Sequence, residues 1–168
     1  MRVAIIFLTA CLFWTTPELG NVRSAFSEAI EKEDKAVALD ASLKQITKEV
    51  PVIYAYKGAV HCVLAKFRLN PYSQLELVRQ GSECLDEAVR EAPNNLEIRY
   101  LRYSVESNLP AILPYRKHIE QDRGRILYEL SVHSKEIEPW LRKELAAYML
   151  KNAQIDSQIR NQLEDLLN

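Results

Sequence analysis

Apolar residues recur at intervals of three and four along most of the chain, and prolines divide that pattern into segments. From residue 22 onward it outlines eight helices. Val22, Phe26, Ala29 and Ile30 form the inward line of a first helix, about Val22 to Glu33. Val37, Leu39, Leu43 and Ile46 form that of a second, about Lys35 to Lys48. Pro51 favours a fresh start, and Ile53, Tyr56, Ala59, Val60, Val63, Leu64 and Phe67 carry a third helix over about Val52 to Phe67. Asn70-Pro71 opens a fourth, which runs to about Ala92, and a fifth covers Leu96 to Ser107. Pro110 and Pro114 bracket an irregular connection before a sixth helix, about Tyr115 to Val132, in which Gly124 permits a bend. Glu138-Pro139-Trp140 starts a seventh that reaches Asn152, and Asp156 is placed to cap an eighth, Ser157 to Leu167.

The most specific stretch runs from Gly81 to Asn95. Small Gly81, large Leu85 and small Ala88 share one helical face, which lets a neighbouring helix come close, and Pro93 stops the helix before the Asn94-Asn95 turn. Gly58 offers a matching small position on the third helix. The spacing from Gly58 to Gly81 exceeds a regular tetratricopeptide unit by about eleven residues, because Tyr72 to Gln80 adds turns to the fourth helix. Together with Tyr56-Lys57-Gly58-Ala59, Asn94 to Arg102 and Pro114 to Asp122, this stretch resembles a family of uncharacterised bacterial helical proteins with tetratricopeptide-like folds. The resemblance covers roughly Tyr54 to Asp122. It implies an all-α stack of helical hairpins and a habit of binding other chains, and it brings no assigned reaction.

Composition supports the helical reading. Four glycines in 168 residues, with no Asn-Gly or Asp-Gly turn, disfavour a sheet protein, and the length suits one domain with its own core. The formal net charge of -1 lacks the basic stripe of a nucleic-acid binder. The densest basic run, Arg116-Lys117-His118 with Arg123 and Arg125, is interrupted by Glu120 and Asp122.

Met1-Arg2 followed by the apolar run Val3 to Trp14 has the layout of a secretory signal, so residues 1–20 are read as a signal peptide or apolar anchor and residues 21–168 as one helical domain. The expected setting is the cell envelope or periplasm. Leu8-Thr9-Ala10-Cys11 also matches a lipobox, which would make Cys11 a lipidation site.

Candidate chemistry is sparse. His61, His118 and His133 are scattered, with no partner at metal-ligand spacing, and Ser82 lacks a hydrolase elbow; neither a metal, a cofactor nor a catalytic residue is expected. Cys62 and Cys84 both face the interface of helices three and four, where they stand either as a disulfide or as two buried thiols. Arg99, Arg102 and Glu106 form a charged line on the fifth helix, and three readings stay open for it. It is a solvated stripe with an Arg102–Glu106 pair, or, with Tyr103, one wall of a groove that grips a bound peptide, or an internal lock in which an arginine reaches Glu120 or Asp122. The function expected is a non-catalytic adaptor holding a protein segment on a surface built mainly by helices three and five. The alternative is a carrier of a small apolar ligand lined by Tyr100, Tyr103, Tyr115 and Trp140.

Overall fold

A computed structural model describes residues 17–167. These form eight α-helices and one short 3-10 turn: α1 Leu19–Ala29, α2 Glu33–Leu43, α3 Pro51–Lys66, α4 Pro71–Glu91, α5 Leu96–Asn108, α6 Ile119–Val132, the turn Ser134–Glu136, α7 Pro139–Asn152 and α8 Ser157–Asp165. Helices adjacent in sequence pack as pairs, and α3 against α4 is the most extensive interface. Lys66 Nζ bonds the carbonyl of Ile30, and Arg68 pairs with Glu33 at 2.8 Å, so the α3–α4 turn lies against the α1–α2 turn.

The helix starts follow local chemistry. Pro51, Pro71 and Pro139 each occupy a first-turn position, where the missing N–H costs nothing. Asn70, Asn95 and Asp156 cap α4, α5 and α8, their side chains accepting from the backbone N–H groups of Tyr72, Ile98 and Ile159. Several sequence expectations need correction, the first being that α1 spans Leu19–Ala29 rather than Val22 to Glu33 and leaves Ile30, expected on its inward line, exposed. α2 ends at Leu43 rather than near Lys48, α6 begins at Ile119 rather than Tyr115, and Val37 is exposed while Ala36 takes the inward position beside Leu39 and Leu43. The late start of α6 has a visible cause, since Arg116 bonds the carbonyls of Ser107 and Leu109 and folds the segment 109–118 back onto the end of α5. Gly124 lies inside a continuous α6 with nothing near it.

Two hydrophobic cores result. The first gathers residues of α1 to α5 around Leu43, Val60, Leu85, Ile98 and Leu101. The second joins Tyr103 of α5 with Ile126, Leu130, Leu145, Met149 and Leu163 of α6 to α8. α5 therefore contributes to both.

α3 and α4 approach each other closely at Gly58 and Gly81. A Cβ on Gly58 would lie 2.7 Å from the carbonyl oxygen of Gly81 and 2.8 Å from Cys84 Cβ, and one on Gly81 would lie 2.5 Å from the carbonyl oxygen of Gly58 and overlap Cys62 Sγ. Neither position has room for a side chain.

Candidate functional site

The charged line of α5 was read as solvated, groove-forming or internal, and the structure places it inside. Arg102 and Glu106 are each 4% exposed, Tyr103 is buried in the second core, and Arg99 is largely covered. α5 turns this face toward α4 and the start of α6, so each charge meets a partner there.

Asp122, fully buried on the first turn of α6, accepts from Arg99 Nη1 at 2.7 Å and from Arg102 Nε and Nη2 at 2.7 and 3.0 Å. Arg99 Nε also donates to the carbonyl of Pro93 at 2.7 Å, which ties the α4–α5 turn to the same cluster. Arg102 Nη1 reaches Asp86 Oδ1 on α4 at 3.1 Å. Burial works to lower the Arg102 pKa, yet the bonds to Asp122 and Asp86 outweigh it and leave the value raised, so the guanidinium is charged. Asp122 is thus the acid of the internal lock, while Glu120 pairs with Arg123 instead.

Glu106 does not pair with Arg102. Its Oε2 accepts the backbone N–H of His118 at 2.7 Å, and its Oε1 lies 2.8 Å from His118 Nδ1. The same Nδ1 stands 3.4 Å from Asp86 Oδ1. His118 occupies the position before α6, where its free backbone N–H is available to a carboxylate. Asp86, Glu106 and His118 come from α4, α5 and the α6 entry, with their ligand atoms all within 4.8 Å of one another. The spacing of these residues in the sequence gave no hint of the triad, since no two are within a helical turn.

A second polar contact joins the first helices. Glu97 accepts two bonds from Arg23, both 2.7 Å, and one from the Tyr56 hydroxyl at 2.8 Å. Burial and then the Glu97 charge push the Tyr56 phenol well above its ordinary value. The Arg23 guanidinium also stacks on Trp140, 4.2 Å from the ring centre.

Beside the α5 cluster runs an open groove of about 680 Å³. Its long wall is α4, through Gln80, Glu83, Asp86, Glu87 and Arg90, with Tyr54 and His61 of α3 opposite. To this groove α5 supplies Arg102 alone, and of Arg99, Arg102, Tyr103 and Glu106 only Arg102 borders it. His61, which the sequence left without an acid, pairs with Asp40 on α2 at 3.0 Å.

Cys62 and Cys84 are free thiols. Burial, with a smaller effect from Cys84, pushes the Cys62 thiol up to about 12, which keeps it protonated and unreactive. Of the four aromatic residues expected to line a ligand cavity, Tyr100, Tyr103 and Trp140 have other packing partners. Tyr100 and Tyr103 pack edge to face on Tyr148, with centroids 5.2 and 5.9 Å apart, the Tyr100 hydroxyl bonds Glu144, and Trp140 sits under Arg23. Cys11 and the apolar run Val3 to Trp14 lie outside the described residues. Among the described residues no helix is long and apolar enough to cross a membrane. Comparison with protein-family models, with curated proteins and with solved structures gives no match.

Proposed function

We propose that the chain is a non-catalytic adaptor or scaffold of the cell envelope, built as a tetratricopeptide-like stack of helical hairpins, and that it holds a segment of another protein in the groove along α4. The observation that carries this reading is the charge pattern of the groove. Glu83, Asp86, Glu87 and Arg90 follow one another along α4, with Lys48 and Arg102 at the sides. Lys48 is fixed by Glu87 and Glu91 at 3.1 and 3.3 Å, and Arg102 by Asp86 and Asp122, so the charges stand in set places. An open surface with fixed charges of both signs suits an extended polypeptide, which presents donors and acceptors in alternation. The tetratricopeptide-like reading is supported by the α3–α4 hairpin, where Gly81, Leu85 and Ala88 are all buried and Gly58 meets Gly81. The envelope setting rests on the N-terminal sequence.

The test is cross-linked capture with C-terminally tagged full chain from native envelope fractions, read by mass spectrometry for partners and for the N-terminus of the bait. Glu83→Lys with Arg90→Glu reverses two groove charges outside the buried network, and Lys143→Glu changes an exposed site on α7. A partner retained by the α7 variant and lost by the groove variant, with unchanged melting temperature, is the expected result. Equal capture by both variants would reject the groove as the binding surface.

A further inference from the structure

The polar cluster around α5 gathers Arg99, Arg102 and His118 with three carboxylates, Asp86, Glu106 and Asp122. Arg99 bonds Asp122, Arg102 bonds Asp122 and Asp86, and Glu106 bonds His118. Arg102 gives two of its bonds to Asp122, so its charge is largely committed there. Among the described residues, His118 is the one bonded to Glu106, which is 4% exposed. Two carboxylates and one imidazole from three different elements thus stand close enough together to share one cation, with their ligand atoms all within 4.8 Å of one another.

We propose that Asp86, Glu106 and His118 bind a divalent transition-metal ion of the zinc type. The donor set is one imidazole nitrogen and two carboxylate oxygens, a mixture that suits zinc, whereas calcium and magnesium take oxygen alone. The distances are close to those such an ion needs. Bonds of about 2.0–2.1 Å in a tetrahedral arrangement set two ligand atoms roughly 3.3–3.4 Å apart. His118 Nδ1 and Asp86 Oδ1 are already 3.4 Å apart, His118 Nδ1 and Glu106 Oε1 are 2.8 Å apart and must open slightly, and no pair exceeds 4.8 Å. The His118 backbone N–H holds Glu106 through its other oxygen, Oε2, and Arg102 Nη1 holds Asp86 by Oδ1 itself. Asp86 and His118 also line the groove, so the fourth position of the ion opens toward it. The metal reading is independent of what the groove binds.

The experiment is calorimetric titration of the full chain with zinc chloride, with magnesium chloride in parallel, and thermal melting of the same samples. One zinc equivalent should bind and raise the melting temperature, and magnesium should do neither. His118→Gln and Asp86→Asn should each raise the zinc dissociation constant roughly tenfold or more. His133→Gln, at a half-buried histidine outside the cluster that pairs with Glu136 and packs on Tyr128, should leave it unchanged. If His118→Gln fails to fold, Asp86→Asn decides, because Asp86 lies at the exposed edge of the cluster. Absence of saturable zinc binding overturns the proposal, and so does binding that survives both ligand variants or is lost in His133→Gln.

Discussion

Adding one methyl group at Gly58 opposes two effects whose sizes the structure separates. Alanine in place of glycine inside a helix is worth about 1 kcal/mol in propensity. Against that gain, the new Cβ would stand 2.7 Å from the Gly81 carbonyl oxygen, 2.8 Å from Cys84 Cβ and 3.1 Å from Leu85 Cγ. The first of these is backbone and cannot swing aside, so α3 and α4 must separate along the largest interface in the molecule. Overpacking of this kind costs about 1–3 kcal/mol, occasionally more, and backbone contact places it at the upper end, so the net loss expected for Gly58→Ala is roughly 2 kcal/mol. For a chain of this length that corresponds to a fall of about 4–8 °C in melting temperature. Gly124→Ala is the internal control, because a Cβ there meets nothing within 4 Å and only the propensity gain remains. Urea unfolding of both variants measures the difference, with the slope checked for constancy. Gly58→Ala at or above the parent stability would show that the helices do not approach as described.

Three further outcomes follow from the buried groups. Asp122→Ala leaves Arg99 and Arg102 without the carboxylate that accepts three of their bonds, and it should cost about 3–5 kcal/mol in urea unfolding; parent-like stability would mean that the lock is dispensable. Iodoacetamide at neutral pH should leave Cys62 unmodified in the folded chain and alkylate it in denaturant, read by peptide mass spectrometry, because its thiol is held up at about 12; equal labelling in both states would contradict its burial. Tyr56 and Tyr100 are raised by burial, with Glu97 and Glu144 adding to the effect, and Tyr54 is held up at about 12 by its hydrogen bond with Cys84 and by burial. Above pH 10, the ordinary tyrosine value, the unfolded chain releases these protons while the folded one retains them. These tyrosines should therefore add no pH dependence to stability below that pH and should lower stability as the pH rises further, and an unfolding midpoint that stays constant from about pH 9 to about pH 11, one unit below and above it, would refute the assignment.

Helix existence was legible in the sequence because its signals are local. Pro51, Pro71, Pro139, Asn70, Asn95 and Asp156 act within one turn of themselves, and each marks a start where the structure has one. Gly58 and Gly81 were each legible as small positions on their helices, and the structure shows that they face one another. The fate of the α5 charges was not. Arg99, Arg102 and Glu106 have the spacing of a surface stripe, and only Asp86 on α4 with His118 and Asp122 on the α6 side makes the interior tolerable for them. His118 was hidden further because the pattern extended α6 back to Tyr115, whereas the Arg116 bonds to the end of α5 keep that segment out of the helix. Val37 and Ala36 show the same limit on a smaller scale, since both fit a helical line and the neighbouring α1 and α3 decide between them.

The position of α5 in both cores has a consequence for how the chain comes apart. Ile98 and Leu101 belong to the first core, Tyr103 to the second, and the arginines between them tie the helix to α6. Melting either half would strip one side of a helix that the other half needs, and would expose charged groups whose burial is tolerable only in pairs. A protease acting in the 109–118 connection would consequently release no stable fragment on either side. The folded chain should lose structure in a single cooperative step, with hydrogen exchange at α5 amides as slow as global unfolding permits.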